Sequence, residues 1–304
     1  MSRTLKDLLA TGAYDAPALG APGRPPLDYR GLRAVIADTL TTLNALDIGR
    51  GDRVAIVLNN GPEMAACYMA CASGVTSAPL NPAYRADEFE FYLQDLNAKA
   101  LIVEAGSASP AVAVAQKLGV RLIDLVAPTD GPAGAYSLVA RDGATASAAA
   151  ENGGFAHPDD VSMVLHTSGT TSRPKIVPLS QANLVASATH IGRTLRFTPA
   201  DRGLNIMPLF HIHGLIAGIL APLSAGSFVF CTPGFNALKF FAWMDEAQPT
   251  WYTAVPTMHQ AILSRAGKNA DVIARHPLRF IRSSSSSMPP QVIAELEQVF
   301  GAPL

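Results

Sequence analysis

The sequence predicts an α/β protein made of two β-α subdomains, each with a mostly parallel sheet covered by helices. Three observations carry this. Short apolar, β-branched runs alternate with longer stretches of helical periodicity. The helical stretches are punctuated as helices are, with Pro62 opening one and Gly301 closing the last. A stretch at 127–160, rich in Ala, Gly, Ser and Pro, interrupts the alternation and reads as a linker between subdomains at 1–150 and 151–304.

In chain order, RVAIVL at 53–58 reads as a strand and 62–73 as a helix. A helix at about 86–97, a strand at 100–104, a helix near 110–118 and a strand at 121–126 follow. Beyond the interruption come a strand at 161–167, a helix at 180–195, a strand at 203–209, an apolar buried helix at 213–226 and a strand at 227–231. An amphipathic helix at 236–248, a strand at 250–256, a helix at 256–266, a strand at 278–283 and a helix at 289–301 complete the series. Successive β-α-β units give parallel strands, because each crossover lays its helix over a sheet face.

The 304 residues are 49% hydrophobic and 15% charged, ample for a packed core. The net charge of −1, with Lys and Arg scattered singly, gives no electrostatic support for nucleic-acid binding. No run approaches the roughly 18 continuous apolar residues of a membrane span. The opening MSRTLKDLLATG is too short and interrupted for a signal peptide. Cys67 and Cys71 share one helix face and, with Cys231, make no disulfide framework, so small buried thiols in a reducing, cytoplasmic compartment are expected. His211 and His213 have no neighbouring Cys/His/Asp cluster to complete a ligand set, and no metal site is predicted.

The chemistry is concentrated in HTSGTTSRPKIVP at 166–178. A strand leads into Thr167, Ser168, Gly169, Thr170, Thr171 and Ser172, and Lys175 follows Pro174. Gly169 admits backbone conformations closed to other residues. Such a turn gathers hydroxyls and backbone N–H groups into an anion-binding concavity, to which Lys175 adds a mobile cation. A polyphosphate cradle at the carboxyl end of a strand is the expected ligand edge of an open α/β sheet. The pattern GxxxxGK followed by Ser or Thr occurs nowhere, so this is not a Walker A loop.

TSGTTSRPKI resembles the signature loop of the ANL superfamily of acyl-CoA synthetases, peptide-synthetase adenylation domains and luciferases, departing from it at Ser172 and Ile176, where glycines are usual. The Ser172-Arg173 pair is similar to the oxalate–CoA ligase branch of that family. Two further strings fall in the family's order. NIMPLFHIHGL at 205–215 resembles its second core motif, which by position makes His211 the residue beside the acyl pocket and α-phosphate, and leaves His213 as a core histidine. RSSSSSMPP at 282–290 resembles its adenine-side loop, aligning Ser284, Ser285 and Ser286 with small residues that line the adenine and acyl pocket. The additional hydroxyls through Ser287 suit a second polar anchor for a dicarboxylate such as oxalate. A fatty or aromatic acid is the alternative, with Leu215, Ile216 and Ile219 lining a tunnel. A non-catalytic nucleotide-binding module is the other.

The resemblance implies ATP, Mg²⁺ and coenzyme A as cofactor and co-substrates. A carboxylate attacks the α-phosphorus of ATP to give acyl-AMP and pyrophosphate, and a thiol then displaces AMP. It also implies an acidic motif, a ribose-binding Asp and a small C-terminal lid domain with a catalytic Lys, none of which falls within residues 1–304. The chain is accordingly expected to be an incomplete portion of the working enzyme.

Overall fold

A computed structural model of the protein describes residues 3–143, 149–167 and 174–304. A hairpin, β1 (Pro17–Ala21) and β2 (Arg24–Asp28), precedes β3 (Arg53–Val57), β4 (Thr76–Pro79), β5 (Ala100–Glu104), β6 (Arg121–Val126) and β7 (Ser137–Ala140). Then come β8 (Val161–His166), β9 (Ile176–Ser180), β10 (Arg202–Asn205), β11 (Phe228–Cys231), β12 (Trp251–Ala254) and β13 (Phe280–Ser283). They form a seven-stranded sheet ordered β7-β6-β5-β3-β4-β8-β9 and a six-stranded sheet ordered β13-β12-β10-β11-β1-β2. Pairing is parallel except at β6/β7, β8/β9 and β1/β2. The expected mixed α/β architecture is present.

Sheet membership does not divide at residue 150. β1 lies beside β11 with Leu19 opposite Val229, so the chain start belongs to the second sheet. β8 lies beside β4, so residues 161–180 belong to the first. The 127–160 stretch is also more than a linker, since it contributes β7 as an antiparallel edge.

The core is set by the helix Pro62–Ala72, in which Pro62 and every residue from Met64 to Ala72 are buried. This helix touches β1 and β11 on one side and β4 and β8 on the other, a sandwiched position that demands an apolar surface all round. Cys67 and Cys71 are free, buried thiols on it. Their mutual hydrogen bond and burial push the Cys71 thiol well above its ordinary range, which keeps it inert. Leu215, Ile216 and Ile219 join the same core. A second apolar layer covers the outer face of the seven-stranded sheet, and a third, with Phe240, Trp243 and Phe300, that of the six-stranded one.

The apolar segment after β10 winds as a π-helix over His213–Leu220 and continues as an α-helical turn, Ala221–Leu223. Widened turns of this kind recur at functional sites. Two glycines fit it to its surroundings: a Cβ on Gly214 would fall 2.3 Å from the Pro208 carbonyl oxygen, and one on Gly218 would fall 2.8 Å from Asn205 Oδ1. The Pro208 backbone cannot swing aside as a side-chain tip would. Gly214→Ala is therefore expected to cost about 3 kcal/mol, the upper end of overpacking penalties, and to be visible as a lowered denaturation midpoint. An unchanged midpoint would show that the segment rewinds freely.

Candidate functional site

The site lies past the carboxyl ends of the parallel strands, and Asn60 brings the two sheets together there. It follows β3, donates from Nδ2 to the Thr232 carbonyl beyond β11 (3.0 Å) and accepts at Oδ1 from the Leu209 N–H beyond β10 (2.8 Å). One side chain thus fastens the 205–215 motif to the first sheet.

Within the six-stranded sheet, β12 and β13 run parallel with Thr253 opposite Arg282. His213, at the head of the π-helix, reaches over both. Its Nε2 is 2.7 Å from Thr253 Oγ1 and 2.9 Å from Arg282 Nη1, and its Nδ1 is 3.1 Å from Ser285 Oγ. Arg282 Nη1 also donates to Thr253 Oγ1 at 3.2 Å. A guanidinium only donates, so Nε2 is an acceptor and the ring proton sits on Nδ1, donating to Ser285. The ring is therefore neutral. Burial, helped by the adjacent Arg282 charge and by His259, lowers the His213 pKa to about 4. Arg282 is half-buried, and burial also works against its charge. No carboxylate pairs with it among the described residues; its side-chain partners are the neutral imidazole and a hydroxyl.

Ser285 holds a left-handed backbone, φ 73°, which orients its hydroxyl toward His213 at a conformational cost. Ser284 donates its N–H to the Ala254 carbonyl at 3.3 Å, docking the serine loop on β12. Ser286 lines a cavity of about 550 Å³ along the β13 edge together with Arg282 and Met288. Ser287 is exposed. His211 is exposed, its ring tilted on Phe210 at 4.5 Å, and it makes no side-chain hydrogen bond among the described residues. Partial burial still lowers its pKa.

Of the two motif histidines, then, it is His213 that joins the serine loop. Reading it as a core histidine accounts for its burial but not for this network. Beneath it, His259 shares a hydrogen bond at Nδ1 with the buried Tyr252 hydroxyl (3.1 Å), while its buried Nε2 finds no partner among the described residues. Burial brings its pKa to about 4, against the opposing pull of the Arg282 and Ala254 backbone.

At the other element, the Thr167 N–H donates to the Lys175 carbonyl (2.9 Å) and the Lys175 N–H to Thr167 Oγ1 (3.2 Å), pinning the two ends of the loop. Ser168, Gly169, Thr170, Thr171 and Ser172 lie outside the described residues. Just before Thr167, His166 binds Asp95 through Nε2 (3.0 Å) and meets the Tyr92 ring edge-on at 4.6 Å. Among the described residues no three His, Cys, Asp or Glu side chains converge as a metal set.

Sequence reading did not single out Arg282, Thr253, His213 or Asn60 as a polar unit. Arg282 stood in the quoted RSSSSSMPP string, and its lack of an acidic neighbour was the available signal.

The chain matches the family model described as AMP-binding enzyme over residues 10–304. It is 39% identical over 311 residues to the oxalate–CoA ligase of Arabidopsis thaliana, covering 100% of this chain and 60% of that protein. Against the oxalate–CoA ligase of Saccharomyces cerevisiae it is 35% identical over 274 residues, covering 84% of this chain and 50% of that protein. Among solved structures, ATP-bound MatB from Rhodopseudomonas palustris superposes with a TM-score of 0.81 at 27% identity, covering 99% of this chain and 58% of that one. The chain thus spans at most three-fifths of the length of these relatives. With one family model matched across nearly every residue, the chain belongs to the AMP-binding enzymes.

Proposed function

We propose that the full protein joins a carboxylic acid to coenzyme A through an acyl-adenylate, and that the acid is a small dicarboxylate of the oxalate type. The observation that carries the substrate reading is Arg282. A half-buried guanidinium whose side-chain partners among the described residues are all neutral is a charge that an anion would complete. A monocarboxylate spends its one charge at the reacting end. A dicarboxylate has a second for the Arg282 fork, with bidentate geometry available.

In this reading Thr167, Ser168, Gly169, Thr170, Thr171, Ser172 and Lys175 hold the β- and γ-phosphates of ATP, and Ser284, Ser285 and Ser286 flank the adenine. His211 stands beside the attacking carboxylate. One carboxylate oxygen bonds to the α-phosphorus as the bond to pyrophosphate breaks. The thiolate of coenzyme A then bonds to the acyl carbon as AMP leaves. Both steps depend on positioning and charge neutralisation, which is what fixed donors supply. Mg²⁺ enters as the companion of ATP. The unbridged, buried cysteines suit a cytoplasmic location. No helix among the described residues is long and apolar enough to cross a membrane.

Leu215, Ile216 and Ile219, the residues that would line a fatty-acyl tunnel, are packed in the core between the sheets, which favours the small acid. Thioester formation by the full-length protein should favour oxalate over laurate by at least about 100-fold in kcat/KM, the discrimination of an unpaired buried charge. Preference for laurate discards the dicarboxylate. Absence of acid-dependent pyrophosphate exchange with any acid discards adenylation and leaves a nucleotide-binding module.

A further inference from the structure

A cavity of about 790 Å³ lies between the carboxyl-terminal part of the helix Gln181–Thr194 and the segments that lead into β10 and β11. Arg196 and Phe197 on its wall precede β10, whereas His213 and Arg282 lie at the carboxyl ends of their strands. Buried Leu8, Val185 and Phe197 line it, with the exposed Ala186 above them. Its rim carries Arg3, His190, Arg193 and Arg196, and among the described residues no Asp or Glu lines it. None of these three arginine side chains has an acidic partner among the described residues.

Helix stability alone does not account for this. A cation in the last turn of a helix complements its dipole, which explains Arg193 on the helix Gln181–Thr194. It does not explain Arg3, which comes from the other end of the chain. It explains Arg196 still less. The Phe197 N–H bonds back to the Gly192 carbonyl (2.9 Å) and the Arg196 N–H to the Arg193 carbonyl (3.1 Å), the helix-ending turn whose left-handed position glycine usually fills. Arg196 sits there with φ 53°. A side chain kept at a backbone cost beside a like charge at i,i+3 is an arrangement that an external anion would relieve.

We propose that this cavity binds an organic phosphate, its phosphate at the arginines and its apolar body against the buried lining. Guanidiniums match phosphate as paired donors, and the volume falls within the range of small-ligand sites. A soluble ligand is favoured over a lipid headgroup in a bilayer. The large exposed apolar residues, Tyr14, Val126, Val139, Val161, Ile212 and Leu238, are all absent from the rim, so nothing there would enter a membrane.

The test is calorimetric titration of the full-length protein with octyl phosphate, beside inorganic phosphate, octanol and vesicles of phosphatidic acid in phosphatidylcholine. Octyl phosphate should bind at least tenfold more tightly than inorganic phosphate or octanol, and the vesicles should not bind. Arg193→Glu/Arg196→Glu should weaken octyl phosphate at least tenfold, and Ala186→Trp should block it. Lys239→Glu, away from the cavity, should leave it unchanged. Arg196→Gly separates binding from folding: it should raise the melting temperature by about 2–4 °C by relieving the left-handed backbone, yet weaken binding. Arg196→Gly or the double glutamate variant binding like the unaltered protein would overturn the proposal. So would vesicle binding, or octyl phosphate binding no better than phosphate.

Discussion

Arg282→Ala in the full-length protein should lower kcat/KM for oxalate by about 100-fold or more, while laurate turnover changes by only a fewfold. Removing one member of a buried charge pair costs about 2–5 kcal/mol, and each 1.4 kcal/mol is a factor of ten. The loss should fall mainly on recognition of the second carboxylate. Arg282→Lys should recover part of it, because a point charge replaces a planar fork. A second readout follows from the network. Arg282 helps hold the His213 pKa near 4, so its removal should move that pKa upward, measurable by NMR titration of the imidazole. Equal losses on oxalate and laurate, with the His213 titration unmoved, would make Arg282 a structural strut only.

Acidification should produce the largest loss of stability. His213 and His259 are both lowered from 6.5 to about 4 in the fold, chiefly by burial. A histidine with a lowered folded pKa binds fewer protons folded than unfolded. Its contribution is therefore intact above about pH 7, erodes as pH falls through 6.5, and levels off near 4. At 1.36 kcal/mol per unit, each accounts for roughly 3 kcal/mol at pH 4, and the pair rivals the whole stability of an ordinary domain. Urea midpoints at pH 7, 5.5 and 4 should fall steadily. His213→Asn/His259→Asn should flatten that slope whatever its effect at pH 7. Asp7 and Asp245, whose carboxyls are held low by hydrogen bonds to Thr4 and to Arg275 and His276, begin to lose their contribution only as pH nears 3.8, so the fall between pH 7 and 5.5 belongs to the histidines. A midpoint constant from pH 7 to 4 would contradict the buried neutral histidines.

Most interior strands announced themselves, as did the edge strand β13, whereas the edges β2, β7 and β9 did not. β3, β5 and β6 are runs such as ALIVE and RLIDLV, buried along most of their length. β2 (RPPLD) and β9 (IVPLS) contain proline, which a sheet tolerates at its edges where an N–H need not be paired, and both are edges here. β7 is the third edge, hidden in a stretch of linker composition. β4 (TSAP) is internal yet lacks the residues that mark a strand. The phosphate-loop string was legible because it is one contiguous segment. The Arg282 network was not, because it exists only once β12 and β13 pair in the register that sets Thr253 opposite Arg282 and a distant π-helix lays His213 across them.

The pairing of β1 with β11 sets Leu19 against Val229 across 210 residues of chain. At synthesis rates of about 5–20 residues per second, the hairpin emerges roughly 10–40 s before its neighbour exists. For the earlier part of that interval the first sheet also lacks β8 and β9, and until β11 emerges the helix Pro62–Ala72 has no second sheet to cover it. One side of that apolar helix must therefore stay uncovered during synthesis until the strands that close over it have emerged.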